Sequence, residues 1–218
     1  MLAPDLATAI SDSLDGLRLL DHPFYRNWQE GLLSQEDLAR YAEQYRFFEQ
    51  VLPSILTRIA GDLPEGGARE LVERNLEDET SRPEPHVKLF EGFAGATGAR
   101  PRSELSEATW ALIDLYRHAA EEGPVPALAV VGAYEVQAGE IAASKAASLS
   151  DLYGMSADGT RFWDVHSAME ADHAAWTTQA LADLDAGSGE VADWASRSAS
   201  AWWSFLDDRL ACSAPPAG

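Results

Sequence analysis

A chain of 218 residues with 36 acidic against 16 basic side chains and a formal charge of −20 offers no surface for phosphate backbones or anionic lipid. Its one cysteine, Cys212, excludes an internal disulfide and a cysteine-built zinc site. No run of about 18 apolar residues is present to span a membrane. The N-terminal MLAPDLATAISDSL lacks the basic segment before an apolar run that marks a secretion signal. The expectations are therefore a cytoplasmic protein with no nucleic acid and no membrane partner, 46% hydrophobic and so able to build one substantial core.

Helix signals run through the chain, and alternating strand patterns are missing. SDSLDGLRLLD has a Ser/Asp start and an amphipathic body, and HPFYRNWQEGLLS follows it. Ser34, with Asp37 three residues on, predicts the cap of a long helix reaching Gly61, bent at Pro53. EGGARELVERNLEDETS is a further helix. PEPHVKLFEGFAGATG continues it after the interruption at Pro83 and Pro85, and SELSEATWALIDLYRHAAEEG comes next. PVPALAVVGAYEVQAGEIAASKAASLSDLYG is apolar almost all round, the mark of a central, buried helix. Two more follow, DGTRFWDVHSAMEADHAAWTTQALADLD and VADWASRSASAWWSFLDDRL. The whole predicts an all-α bundle of seven to nine helices forming one domain over 1–218. A short flexible break is expected at about 187–190 and a disordered tail at 211–218.

Three stretches carry chemistry. In HSAMEADH, His166, Glu170 and His173 are spaced i, i+4, i+7, which puts them within about 60° on one helical face. Two imidazoles and a carboxylate there make half a site for iron or manganese, and a solvated polar stripe is the alternative. In NLEDETSRPEPH, Glu79 and His86 are seven apart and would share a side if the helix is nearly continuous. Pro83 and Pro85 bend the backbone between them, which could bring both side chains to one point, and a helix-end charge cluster with a surface histidine is the alternative. Glu135 is a lone carboxylate in the apolar helix and needs a cation to be buried. Lys145, ten residues on, is displaced by about 15 Å along the axis, so a metal suits Glu135 better. Three carboxylates and three histidines are the ligand count of a dinuclear site. Only one Glu-x-x-His pair is present, Glu170 with His173, so the spacing is not that of ferritin-like proteins.

This order, Glu-x6-His, a lone Glu, then His-x3-Glu-x2-His, resembles the heme-oxygenase-like diiron oxidases and oxygenases. Glu79/His86, Glu135 and His166/Glu170/His173 fill it across about half the chain. Within that superfamily the chain looks most like the CADD family, the metal-dependent para-aminobenzoate synthases of folate biosynthesis. LLDHPFYRNW resembles its N-terminal segment, with Tyr25 at the reactive tyrosine. YAEQY supplies Tyr41 at another family tyrosine, and YEVQAGEIAASK resembles its Tyr-Glu pair, Tyr134 and Glu135, followed by a lysine, Lys145. Phe162 departs from the pattern, standing where the family often has tyrosine.

The resemblance implies a TenA/PqqC-like helical bundle and two metal ions, Fe/Fe or Fe/Mn, with O2 and a reductant as co-substrates. It also implies self-sacrifice: a tyrosine gives the aromatic ring and a lysine the amino nitrogen of para-aminobenzoate. Arginine could not serve as donor, because a guanidinium is no usable amine at neutral pH. That accounts for a lysine at 145 in a chain with only one other, Lys88. A homodimer is the expected assembly.

Plainer readings stand beside these. Lys145 could be a surface lysine snorkelling from a helix end, and Tyr25, Tyr41 and Tyr134 could be core tyrosines. His22 before Pro23 fits a helix start, His118 fits a helix C-terminus, and Trp194, Trp202, Trp203 and Phe205 fit core or a dimer seam. Neither lysine sits in Gly-Lys-Ser/Thr, and no His-Glu-x-x-His or Gly-x-Ser-x-Gly occurs. TenA-type thiaminases depend on a mid-chain cysteine, which is lacking, and PqqC-type proteins lack the six-ligand set. The rival functions are a dinuclear iron oxygenase acting on an external fatty acid or amino acid, and a non-enzymatic helical interaction protein.

Overall fold

The computed structural model describes residues 2–213. Among them there are nine α-helices and no strand: α1 (Ala3–Ser13), α2 (Pro23–Gln29), α3 (Gln35–Asp62), α4 (Gly67–Ser81), α5 (His86–Thr97), α6 (Glu107–Glu122), α7 (Pro124–Asp151), α8 (Ala157–Asp183) and α9 (Ser188–Cys212). A 3-10 turn at Leu19–Asp21 joins α1 to α2.

The helix starts follow from local chemistry. Ser34 and Asp37 form the expected reciprocal cap, Ser34 Oγ accepting from Asp37 N at 3.1 Å and Asp37 Oδ2 from Ser34 N at 2.9 Å. α3 then runs through Pro53 to Asp62. His22 does fix a helix start: its Nδ1 accepts from Phe24 N at 3.0 Å, with Pro23 at the first helical position. α6 starts behind Ser106 rather than Ser103, because Ser106 is the residue whose side chain accepts from Thr109 N.

Three boundaries differ from the sequence reading. The first helix begins upstream of SDSLDGLRLLD and ends within it, at Ser13: Leu6 and Ile10 are its buried stripe, and it is finished before Gly16 turns the chain with φ 73°. Glu79 and His86 are not on one nearly continuous helix. α4 ends at Ser81 and α5 begins at His86, because Pro83 and Pro85 lie between. The break before the last helix is the turn at 184–187, with Asp185 at φ 51°, and residues 188–190 already form the first turn of α9. That helix reaches Cys212, so residues 211 and 212 of the expected tail are helical, and residues 214–218 of it lie outside the described residues.

α7 is the axis of the bundle. Eighteen of its 28 residues are buried, so helices must cover it on every side. It packs along α8 and against α9, α6 and α1. Gly132 permits the approach of α8, since a Cβ there would stand 3.1 Å from Thr177 Cγ2. One continuous cluster of buried apolar residues runs through the molecule. Trp194, Trp202 and Phe205 belong to it, so these three rings of α9 are core, while Trp203 is half-buried against His22. Burying each such ring stabilises by about 1.5–3 kcal/mol. No helix among the described residues is long and apolar enough to cross a membrane.

Candidate metal centre

Four helices deliver the six predicted metal-ligating side chains. Glu79 comes from the last turns of α4, His86 from the first position of α5, and Glu135 from the middle of α7. His166, Glu170 and His173 come from one face of α8. None of the six is more than 8% exposed. Glu79 is the hub. Its Oε2 lies 2.9 Å from His86 Nδ1 and its Oε1 3.9 Å from His173 Nδ1. His173 Nδ1 is 3.7 Å from Glu170 Oε2, and His166 Nε2 is 4.0 Å from Glu170 Oε1. One ligating atom from each of Glu79, His86 and His166 falls within 4.8 Å of the others. Glu79, Glu135, His166, Glu170 and His173 line a small cavity, walled on its other sides by residues such as Tyr45, Phe48, Leu52 and Val131.

The outer nitrogen of each histidine is occupied. His86 Nε2 donates to the Arg82 carbonyl at 3.0 Å, His166 Nδ1 to the Phe162 carbonyl at 2.9 Å, and His173 Nε2 to Asp78 Oδ2 at 3.4 Å. The other nitrogen of each ring therefore faces the carboxylates, the orientation that a metal-binding imidazole needs. The Phe162 ring packs on His166 with centroids 4.0 Å apart, so the residue that departs from the family pattern still buttresses a histidine.

The charges are short of a cation. Burial pushes Glu170 up to about 7, and Glu135 and Glu79 add to it. Burial works against a charged His173, but Glu170, Glu135 and Glu79 outweigh it and lift the ring to about 10. Burial holds His166 down to about 4 and raises Glu135. Glu135 Oε1 accepts from Asn75 Nδ2 at 2.6 Å, whereas its Oε2 is buried with no partner. Among the described residues no arginine or lysine pairs with Glu79, Glu135 or Glu170. Carboxylate oxygens and imidazoles in a dry shell suit iron or manganese. His173 would give up its proton to such an ion, which would take over the attraction of the carboxylates and satisfy the orphaned oxygen.

Lys145 lies elsewhere, as helical arithmetic requires. It is 2% exposed, which rules out the surface reading. Its Nζ donates to Tyr41 Oη at 2.6 Å and lies 3.9 Å from the Trp163 ring centroid and 4.5 Å from that of Tyr25. Trp28, Tyr41 and Tyr45 complete an aromatic cage. Burial drives the amine well below the usual lysine range, which favours its uncharged form. The hydroxyls of Tyr25 and Tyr41 are 2.9 Å apart, and those of Tyr45 and Tyr134 are 2.8 Å apart. The stacked rings of Tyr41 and Tyr45, 5.5 Å between centroids, join the two pairs. Tyr25 and Tyr41 thus face the lysine, Tyr134 faces the metal cavity, and Tyr45 borders both.

Sequence reasoning missed Tyr45, Glu49, Asn75 and Asp78. Asn75 is four residues before Glu79, and Tyr45 four after Tyr41, so same-face spacing was the available signal.

Comparison with known proteins agrees with this architecture. Residues 39–203 match the family described as iron-containing redox enzymes. The 4-aminobenzoate synthase of Nitrosomonas europaea is 33% identical, over 91% of this chain and 88% of that protein. A TenA homolog from Pseudomonas syringae superposes with a TM-score of 0.79 at 14% identity, covering 95% of this chain and 92% of that one. A domain of unknown function with a heme oxygenase-like fold from Shewanella denitrificans gives 0.77 at 17%, covering 97% and 93%. The chain belongs to the iron-containing redox enzymes with a heme-oxygenase-like fold, alongside the 4-aminobenzoate synthases.

Proposed function

We propose that this protein makes para-aminobenzoate in a metal- and O2-dependent oxidation that consumes its own side chains, Tyr25 giving the ring and Lys145 the nitrogen. The observation that carries the reading is the buried amine, 4.5 Å from the Tyr25 ring centroid, in a chain 33% identical to a 4-aminobenzoate synthase. Glu79, His86, Glu135, His166, Glu170 and His173 would hold two ions, iron with iron or iron with manganese. With O2 and a reductant, these ions supply the oxidising power. The rest falls to the protein. The outer hydrogen bonds of the histidines aim the rings, and the aromatic walls exclude water. Tyr41 holds Lys145 Nζ and Tyr25 Oη on the same hydroxyl. Burial leaves the amine with a free lone pair. The reading also takes the chain as a cytoplasmic homodimer that meets no nucleic acid.

The test loads the protein with iron and manganese, adds reductant and air, and supplies no aromatic precursor. Mass spectrometry should find para-aminobenzoate at no more than a single equivalent per chain, with a matching mass loss at Tyr25. Product that forms only when a precursor is added would make this an oxygenase of external substrates. Metal content well below one ion per chain, with no product, would leave the interaction protein.

A further inference from the structure

The six motif side chains come from α4, α5, α7 and α8, and leave the side of the cavity formed by α3. α3 fills that side with a carboxylate. Glu49 is 2% exposed and lines the same cavity as Glu79, Glu135, His166, Glu170 and His173. Its Oε2 is buried without a hydrogen-bond partner. Among the described residues, the only other carboxylate oxygen in that condition is Oε2 of Glu135. No arginine, lysine or histidine within the described residues forms an ion pair with Glu49, and its neighbours in the wall are Tyr45, Phe48, Leu52 and Val131.

The buried acids elsewhere on α3 are different. Glu43 is paired with Arg100 at 2.7 Å, and Asp37 caps its own helix. Glu49 is therefore the one buried carboxylate of α3 that has neither an ion-pair partner nor a capping role, its only polar help being the Tyr45 hydroxyl and the distant amine of Lys145. An unpaired carboxylate in a dry wall is costly unless a cation meets it. The charges also fit. Four ligating carboxylates match two divalent ions charge for charge, with Asp78 acting behind His173.

We propose that Glu49 is a ligand of the metal centre, a fourth carboxylate closing the site from α3. The inference rests on the reading that the cavity holds two metal ions. Glu49→Gln keeps the shape and removes the charge. The metal-stripped full-length chain would be titrated with Mn²⁺ alone, followed by calorimetry and by the paramagnetic resonance of the bound ions. The wild type should take two ions per chain and show the spectrum of a coupled pair. Glu49→Gln should bind one of them at least about tenfold more weakly and lose the coupled spectrum. Glu49→Asp, which keeps the charge on a shorter arm, should recover part of both, and it decides by the same criteria if the glutamine variant does not fold. Wild-type affinity for both ions with an unchanged spectrum in Glu49→Gln would overturn the proposal while leaving the six-ligand centre intact. A wild type that binds no Mn²⁺ would overturn the dinuclear reading, and this inference with it.

Discussion

A Lys145→Met protein is expected to make no para-aminobenzoate, to keep its metals, and to melt at a higher temperature than the wild type. Methionine fills nearly the same volume without an amine, so the nitrogen donor is lost while the aromatic cage persists. The metal ligands are not in that cage, so metal content should not change. The stability effect follows from burial. The Lys145 pKa is pushed well below its usual value in the folded chain and lies near 10.4 when unfolded. Between those two values the unfolded chain binds more protons, so wild-type stability rises with pH across that window. Methionine removes this penalty. Its advantage is fully present below the window and fades as pH rises toward the unfolded value. It should be on the order of 1 kcal/mol, or about 2–4 °C in Tm for a chain of this size, after the loss of the Tyr41 hydrogen bond. Lys145→Arg should also make no product and retain metal, but melt lower, because a larger and permanently charged group must enter the cage. Product assays and calorimetry across pH check both variants. Wild-type product from either would place the nitrogen elsewhere, and the other lysine is a poor source. Lys88 has a side chain 74% exposed and pairs with Glu84 at 2.7 Å.

Tyr25→Phe should likewise abolish product while changing the fold very little. Tyr25 Oη is hydrogen-bonded to Tyr41, and Tyr41 keeps Lys145 Nζ as a partner when Tyr25 Oη is removed. The expected cost is about 0.5–1.5 kcal/mol. Tyr41→Phe should cost more, because it leaves both the Tyr25 hydroxyl and the Lys145 amine without that partner. Comparing the two variants separates a consumed ring from a positioning hydroxyl. If Tyr25→Phe yields product, the ring comes from another tyrosine, and a mass loss at Tyr41 or at Tyr134 names which.

The parts of the site that could be read from sequence are those whose geometry is set within one element. His166, Glu170 and His173 share a face because α8 is a single unbroken helix, and Glu135 stood out because its surroundings are apolar. Glu79 and His86 converge through the turn between two helices rather than along one, and Pro83 and Pro85 were the signal for that bend. The first helix was misplaced because SDS resembles a cap, while the stripe of Leu6 and Ile10 upstream was overlooked. Glu49 had no local signature at all. α3 buries Asp37, Glu43 and Arg46 as well, and each of those is answered by a cap or an ion pair. Only the packed molecule shows which buried acid has no such answer. Lys145 was likewise ambiguous in one dimension, because a helix-end lysine is usually solvated. Its cage is assembled from α2 and α3, far before it in the chain, and from α8, the next helix after it.

Isotope labelling tests the central claim most directly. The protein would be produced with tyrosine heavy in its ring carbons and lysine heavy in its side-chain nitrogen. It would then be purified and loaded with iron and manganese, and exposed to O2 and reductant in unlabelled buffer. The account predicts para-aminobenzoate that carries both labels, together with a chain that has lost mass at Tyr25. Product that carries neither label would contradict it.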